Sequence, residues 1–102
     1  MNTIQASDAF KDWLRKLRDI RGRARIVARI VARIAAARDG HFGDTKPIQD
    51  GVYEMRIHFG PGYRVYYTRR GSTVYFLLVG GDKSTQSRDI AAAIGMAKEI
   101  RE

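Results

Sequence analysis

Apolar and polar residues alternate from Tyr53 to Phe59, with Tyr53, Met55, Ile57 and Phe59 on one side and Glu54, Arg56 and His58 on the other. A period of two predicts a half-buried strand over 52–59. The alternation resumes after Gly60-Pro61-Gly62, where Tyr63, Val65 and Tyr67 run out of phase with Arg64, Tyr66 and Thr68. A second strand over 63–70 then closes a hairpin through residues that suit a turn. A loop of residues 60–62 sets Phe59 opposite Tyr63. In that register the apolar sets coincide, and Glu54, Arg56, His58, Arg64 and Tyr66 share the other face. A third strand over 73–80 follows a tight turn at Arg70-Gly71-Ser72. Its Val74-Tyr75-Phe76-Leu77-Leu78-Val79 core is apolar on both faces, as in a central strand with helices against it.

Elsewhere the period lengthens. A short strand near Asn2 to Gln5 and a capping Ser7 precede a helix over 8–20, whose Phe10, Trp13, Leu14 and Leu17 form one stripe. Lys11, Arg15, Lys16 and Arg18 stay outside it, and Gly22 breaks it. A second helix over 23–38 repeats every four residues, with Ile26, Ile30 and Ile34 on one stripe and Arg25, Arg29 and Arg33 on the adjoining one, ending at Asp39-Gly40. Charges that recur every turn argue against a heptad or a membrane span. His41 to Gly51, with Gly43 and Pro47, reads as a turn-rich connection. A polar loop from Gly80 to Ser87 leads into a closing helix from Asp89 to Arg101, with Ile90, Ile94, Ala97 and Ile100 at helical intervals and Ser87 or Ser84 as its cap. The expected architecture is α+β in a single domain over 1–102: an N-terminal helical hairpin on a small, mainly antiparallel β-sheet, with a C-terminal helix.

Composition narrows the function. The 102 residues are 44% hydrophobic, enough for a compact core. Cysteine is absent from the sequence, which excludes disulfides and thiolate metal sites. The longest strongly apolar run, Val74 to Val79, is strand length, and a cytoplasmic location is expected. The net charge is +8, and residues 1–40 carry ten Lys/Arg against four Asp. Such a field suits nucleic acid, a ribosome or an acidic protein through counterion release and steering, without choosing among them. His41 and His58 lack ligand spacing, so neither a metal nor another cofactor is expected. Gly80-Gly81-Asp82-Lys83 lacks the spacing of a nucleotide-binding loop.

The layout, and in particular GDTKPIQDGVYEMRIHFGPGYRVYY followed by LLVGGDKSTQSRDI, resembles the RelE/ParE superfamily of bacterial toxin components, most nearly its HigB-like addiction module killer group. The resemblance covers essentially the whole chain. It implies a toxin neutralised by an antitoxin from the same operon, one carrying a helix-turn-helix DNA-binding domain. The activity implied is endoribonuclease cleavage of mRNA on the ribosome; inhibition of DNA gyrase, as by ParE-like members, is the alternative. A third possibility is a binding module that acts chiefly as antitoxin partner and operon co-repressor.

By the same resemblance, Arg56 matches the family's basic strand residue, Arg64 the arginine after the glycine-tyrosine turn, and Lys83 stands near the basic residue of the loop after the last strand. Guanidinium groups offer paired donors to phosphate oxygens and keep their charge, so they suit stabilisation of a pentavalent transition state. Two positions depart from the ribonuclease pattern. Glu54 replaces a second strand lysine, and Gln86 or Arg88 stands where a catalytic tyrosine is found. His58 becomes the candidate proton carrier, oriented by Glu54 or Tyr66. Lys46, Tyr66, Gln86, Arg29 and Arg33 are candidate RNA contacts, Tyr66 by stacking on a base.

Overall fold

The computed structural model describes residues 3–37, 45–70 and 74–101. His41 and the Gly71-Ser72 turn lie outside them, as do the side chains of Arg33 and Ile34. Five strands, Thr3–Ala6 (β1), Thr45–Pro47 (β2), Val52–Ile57 (β3), Tyr63–Arg70 (β4) and Val74–Asp82 (β5), form one sheet in the order β1-β5-β4-β3-β2. All neighbours are antiparallel except β1 with β5. The helices are Asp8–Lys16 (α1), Ile20–Ala37 (α2) and Gln86–Arg101 (α3), and the expected α+β layout holds.

Each face of the sheet has its own core. Phe10 of α1 and Ile26 and Ile30 of α2 pack on Met55, Ile57, Tyr63, Val65, Tyr67 and Leu77. On the opposite face, Val52, Tyr66 and Leu78 meet Ala93 and Ala97 of α3. Each large side chain fully withdrawn from water stabilises the fold by roughly 1.5–3 kcal/mol. β5 serves both layers, since Leu77 faces one and Leu78 the other. The pair Gly80-Gly81 continues this strand instead of forming a loop: a Cβ at Gly80 would collide with the Trp13 ring, and one at Gly81 with Asp89 on the other side. Those glycines admit the two helices to the sheet, which is why a polar, glycine-rich stretch extends the strand to Asp82.

The hairpin keeps the expected faces in a different register. Ile57 pairs with Tyr63 and Arg56 with Arg64, two residues away from the Phe59–Tyr63 pairing. An even shift preserves which side chains share a face. The connection spans 58–62, with Gly60 and Gly62 at φ +57 and +80, and Phe59 leaves the ladder to sit beneath Arg25, 5.2 Å from its guanidinium. β3 therefore stops at Ile57 and His58 belongs to the turn. The connection before it also holds β2, whose Lys46 pairs with Glu54; a three-residue strand containing Pro47 has too little alternation to be seen in sequence.

Local hydrogen bonds explain the helix ends. The Ser7 hydroxyl accepts from Phe10 N at 3.0 Å and donates to Leu78 O at 2.6 Å, tying the start of α1 to β5. α1 ends at Lys16, and the Leu17 carbonyl accepts from Arg23 Nη2 at 2.9 Å. Asp19 then caps α2: its carboxylate accepts from Gly22 N at 2.8 Å and from the Tyr63 hydroxyl at 3.0 Å. Gly22 lies in the first turn of α2 and breaks nothing. α3 begins at Gln86, three residues ahead of expectation, because the 3-10 turn Lys83–Thr85 runs straight into it and the capping box belongs to Asp82, with Ser84 N donating to its carboxylate at 2.8 Å.

The crowding at Gly22 reverses an ordinary substitution effect. A Cβ there would lie 2.6 Å from Asp19 Oδ2 and 2.9 Å from Tyr63 Cε2. Glycine to alanine inside a helix usually gains about 1 kcal/mol. Gly22→Ala should instead cost about 1–3 kcal/mol in urea unfolding, because cap and ring have to move. A stability gain would show that they relax freely.

Candidate anion-binding cleft

The polar face of β3 and β4 converges on one carboxylate. Glu54 is fully buried, 0% exposed, between β2, β4 and the start of α3. Its Oε1 accepts from Arg56 Nε at 3.0 Å and lies 3.9 Å from Lys46 Nζ; its Oε2 accepts from Gln86 Nε2 at 2.9 Å. Burial by itself would push the carboxyl pKa up. The hydrogen bonds from Arg56 and Gln86 and the charges of Arg64 and Lys46 outweigh it, holding the group below its ordinary value and hence ionised.

Around this carboxylate the cations are close-set. Arg56 and Arg64 stand directly opposite one another on adjacent strands, a like-charge pair that costs free energy unless an anion lies between or above them. Glu54 satisfies Arg56, whereas Arg64 Nε is buried with no hydrogen-bond partner. Tyr66, opposite Glu54, is buried with its hydroxyl likewise unpartnered. Burial, and after it the adjacent Glu54 carboxylate, push that hydroxyl well above the ordinary tyrosine range, so it keeps its proton. Gly81 pairs with Arg64 on the next strand, and the space over it takes Asp89, whose carboxylate accepts from Thr85 Oγ1 at 2.5 Å.

The cleft thus gathers Lys46, Arg56, Arg64 and Gln86, whereas Tyr66, 0% exposed in the core under α3, has no ring face open for stacking on a base. Lys83 is exposed in the 3-10 turn, its Cβ beside Gly62 of the hairpin turn, so it stands near the rim. His58 is exposed in that same hairpin turn, beyond the end of β3. Arg29 is half-buried on α2, on the face of the sheet opposite Glu54, and is not brought to the cleft. Arg88 points to Asp89, 3.8 Å away, and Gln86 alone of the two occupies the cleft. Sequence reasoning treated Glu54 as a missing lysine, although its place two residues before Arg56 on one strand face made the ion pair legible. Asp89 and Thr85 were missed because their meeting over Gly81 depends on where α3 starts.

Among the described residues no group of three or more His, Asp or Glu could hold a metal ion, and no helix is long and apolar enough to cross a membrane. In comparison with known proteins, an uncharacterised protein of Haemophilus influenzae is 43% identical over 97 residues, which cover 95% of this chain and 94% of that protein. The profile of the family described as Phage derived protein Gp49-like (DUF891) matches residues 12–101, a span that includes β2 to β5 and all of α3. The chain belongs to the Gp49-like family of phage-derived proteins.

Proposed function

We propose that this protein is the toxin of a toxin–antitoxin pair, acting as an endoribonuclease on ribosome-bound mRNA, with the Glu54 cleft as its phosphate site. The observation that carries the reading is the Arg56–Arg64 pair: two arginines stand directly opposite on adjacent strands, Glu54 satisfies Arg56, and Arg64 Nε is left without an acceptor. A phosphodiester supplies the acceptor oxygens and the negative charge that both arginines require. In the reaction the ribose 2'-oxygen attacks phosphorus, the bond to the 5'-oxygen breaks, and a cyclic phosphate and a 5'-hydroxyl result. Arg56 and Arg64 stabilise the charge gathered on the equatorial oxygens. His58, open to solvent two residues past Arg56, is the group that takes the 2'-hydroxyl proton and returns one to the leaving oxygen. Glu54 is a positioning residue, since a fully buried carboxylate touches no substrate. The partner in this reading is an antitoxin from the same operon with a helix-turn-helix domain.

One observation favours a second reading, inhibition of DNA gyrase. The carboxylate and the phenol nearest the arginines are both buried, which leaves acid–base chemistry to His58, outside the strand. A binding surface needs no such group.

Brief expression in bacteria with mapping of new mRNA 5' ends separates the two. Wild-type protein should create cleavages within coding regions, and Arg64→Ala should lower them by about 100-fold or more, the usual cost of a preorganised charge donor. Its far-UV circular dichroism should remain that of the wild type. Growth arrest without new 5' ends would replace the ribonuclease reading with gyrase inhibition.

Glu54→Gln should move stability and anion binding in opposite directions. A carboxyl held below its ordinary value of 4.5 contributes stability that is complete above that value and lost as pH falls through the lower folded value. The variant should be less stable at neutral pH by about 1–3 kcal/mol, the cost of losing the charged acceptor that Arg56, Gln86 and Lys46 share. Its loss on acidification below about pH 4.5 should be shallower than that of the wild type. With one negative charge gone from the cleft, affinity for a non-cleavable oligonucleotide should rise. Unchanged stability with weaker binding would mean that Glu54 itself contacts the ligand.

A further inference from the structure

One exposed stripe of α2 carries no partner within the described residues, and it is apolar. Ile20, Val27 and Val31 are 74%, 45% and 56% exposed, and the exposed positions between and after them include Ala24, Ala28 and Ala35. The four-residue repeat explains why. Four residues advance the helix by a full turn and about 40° more, so each Arg-Ile-Val-Ala unit that turns its isoleucine to the core turns its valine to water. Positions 20, 24, 27 and 31 are spaced four, three and four, which is the seam along which one helix receives another. Arg21 and Arg25 stand to one side of this seam without interrupting it, so the every-turn charge that argued against a heptad leaves one free on the outer face.

Beside the seam, α2 and the hairpin turn enclose a groove of about 540 Å³ lined by Arg21, Ala24, Arg25, Ala28 and Phe59. Its lining mixes apolar side chains with two arginines, Arg25 lying over the Phe59 ring. α2 contains five arginines and no acid. A second copy packed along the seam would bring two such rows together, which charge repulsion opposes. RNA would use the arginines and leave the valines wet.

We infer that this face docks an acidic amphipathic helix of a partner protein, its apolar residues on Ile20, Ala24, Val27 and Val31 and its carboxylates beside Arg21 and Arg25. That the partner is the antitoxin rests on the function proposed above; the docking chemistry does not.

Two synthetic peptides test it on the full-length protein by fluorescence anisotropy: one with leucines at heptad seam positions and glutamates beside them, the other with lysines replacing the glutamates. The acidic peptide should bind, more weakly at high salt, and the lysine peptide should not. Val27→Asp with Val31→Asp should weaken the acidic peptide by about tenfold or more, as should Arg21→Glu with Arg25→Glu, whereas Arg64→Ala should leave it unchanged. Equal binding of both peptides, or acidic-peptide binding that survives the aspartates, overturns the proposal. So does a wild-type dimer in sedimentation that the aspartates dissociate, which would assign the seam to a second copy. If the aspartate pair does not fold, Val27→Ser with Val31→Ser takes its place under the same criteria. Failure here leaves the mapped mRNA ends untouched, so the two readings stand or fall separately.

Discussion

A fully buried carboxylate has to be matched, and the matching of Glu54 organises everything on the α3 side of the sheet. An ion of that size withdrawn from water without partners costs several kcal/mol. Glu54 meets the requirement with groups from three separate elements: Lys46 from β2, Arg56 from its own strand, and Gln86 from the first turn of α3. The edge strand, the central hairpin and the last helix are thereby tied to one point. The same ion pair explains how two arginines can face each other across β3 and β4, a contact that would otherwise push the strands apart.

The match is incomplete. One carboxylate cannot neutralise Lys46, Arg56 and Arg64 together, and Arg64 keeps a buried donor with no acceptor. A structure selected for stability alone would fill that donor or remove it. Paired with Arg64 from β5, Gly81 leaves the room in which Asp89 accepts from Thr85. Under the proposed function, the Arg64 donor exchanges some stability for a charge that an incoming anion can use.

How much of this could be read from the chain depends on which interactions are local. Strand alternation fixed which side chains of β3 and β4 share a face, because parity survives a shift of two; the register itself turned on Phe59 leaving the ladder for Arg25, a contact between elements far apart in sequence. Helix starts at Ser7 were legible as a cap. The start of α2 at Ile20 was not, since Asp19 and Gly22 close a turn that glycine ordinarily disfavours. Arg56 and Arg64 were identified as site residues by resemblance and do sit together, whereas Glu54 read as a loss because its partners lie on three elements. In α2 the inward isoleucines account for the four-residue period by themselves, so Val27 and Val31 one position later carry no separate signal.

The two faces of the sheet also set a condition on any partner that would silence the cleft. α2 and the Glu54 site lie on opposite sides of the sheet, in a molecule whose principal extents are 34, 29 and 21 Å. Charges separated by more than a Debye length, about 8 Å at physiological salt, hardly feel one another. A helix seated on α2 would therefore neither cover Arg64 nor dilute its field. It would serve as an anchor, and inhibition would need a second segment of the same partner reaching around the sheet edge to β2, the edge strand whose Lys46 lies 3.9 Å from Glu54. Once the first segment is bound, the second acts at a high effective concentration, so a short acidic stretch of modest intrinsic affinity would suffice to occupy the arginines.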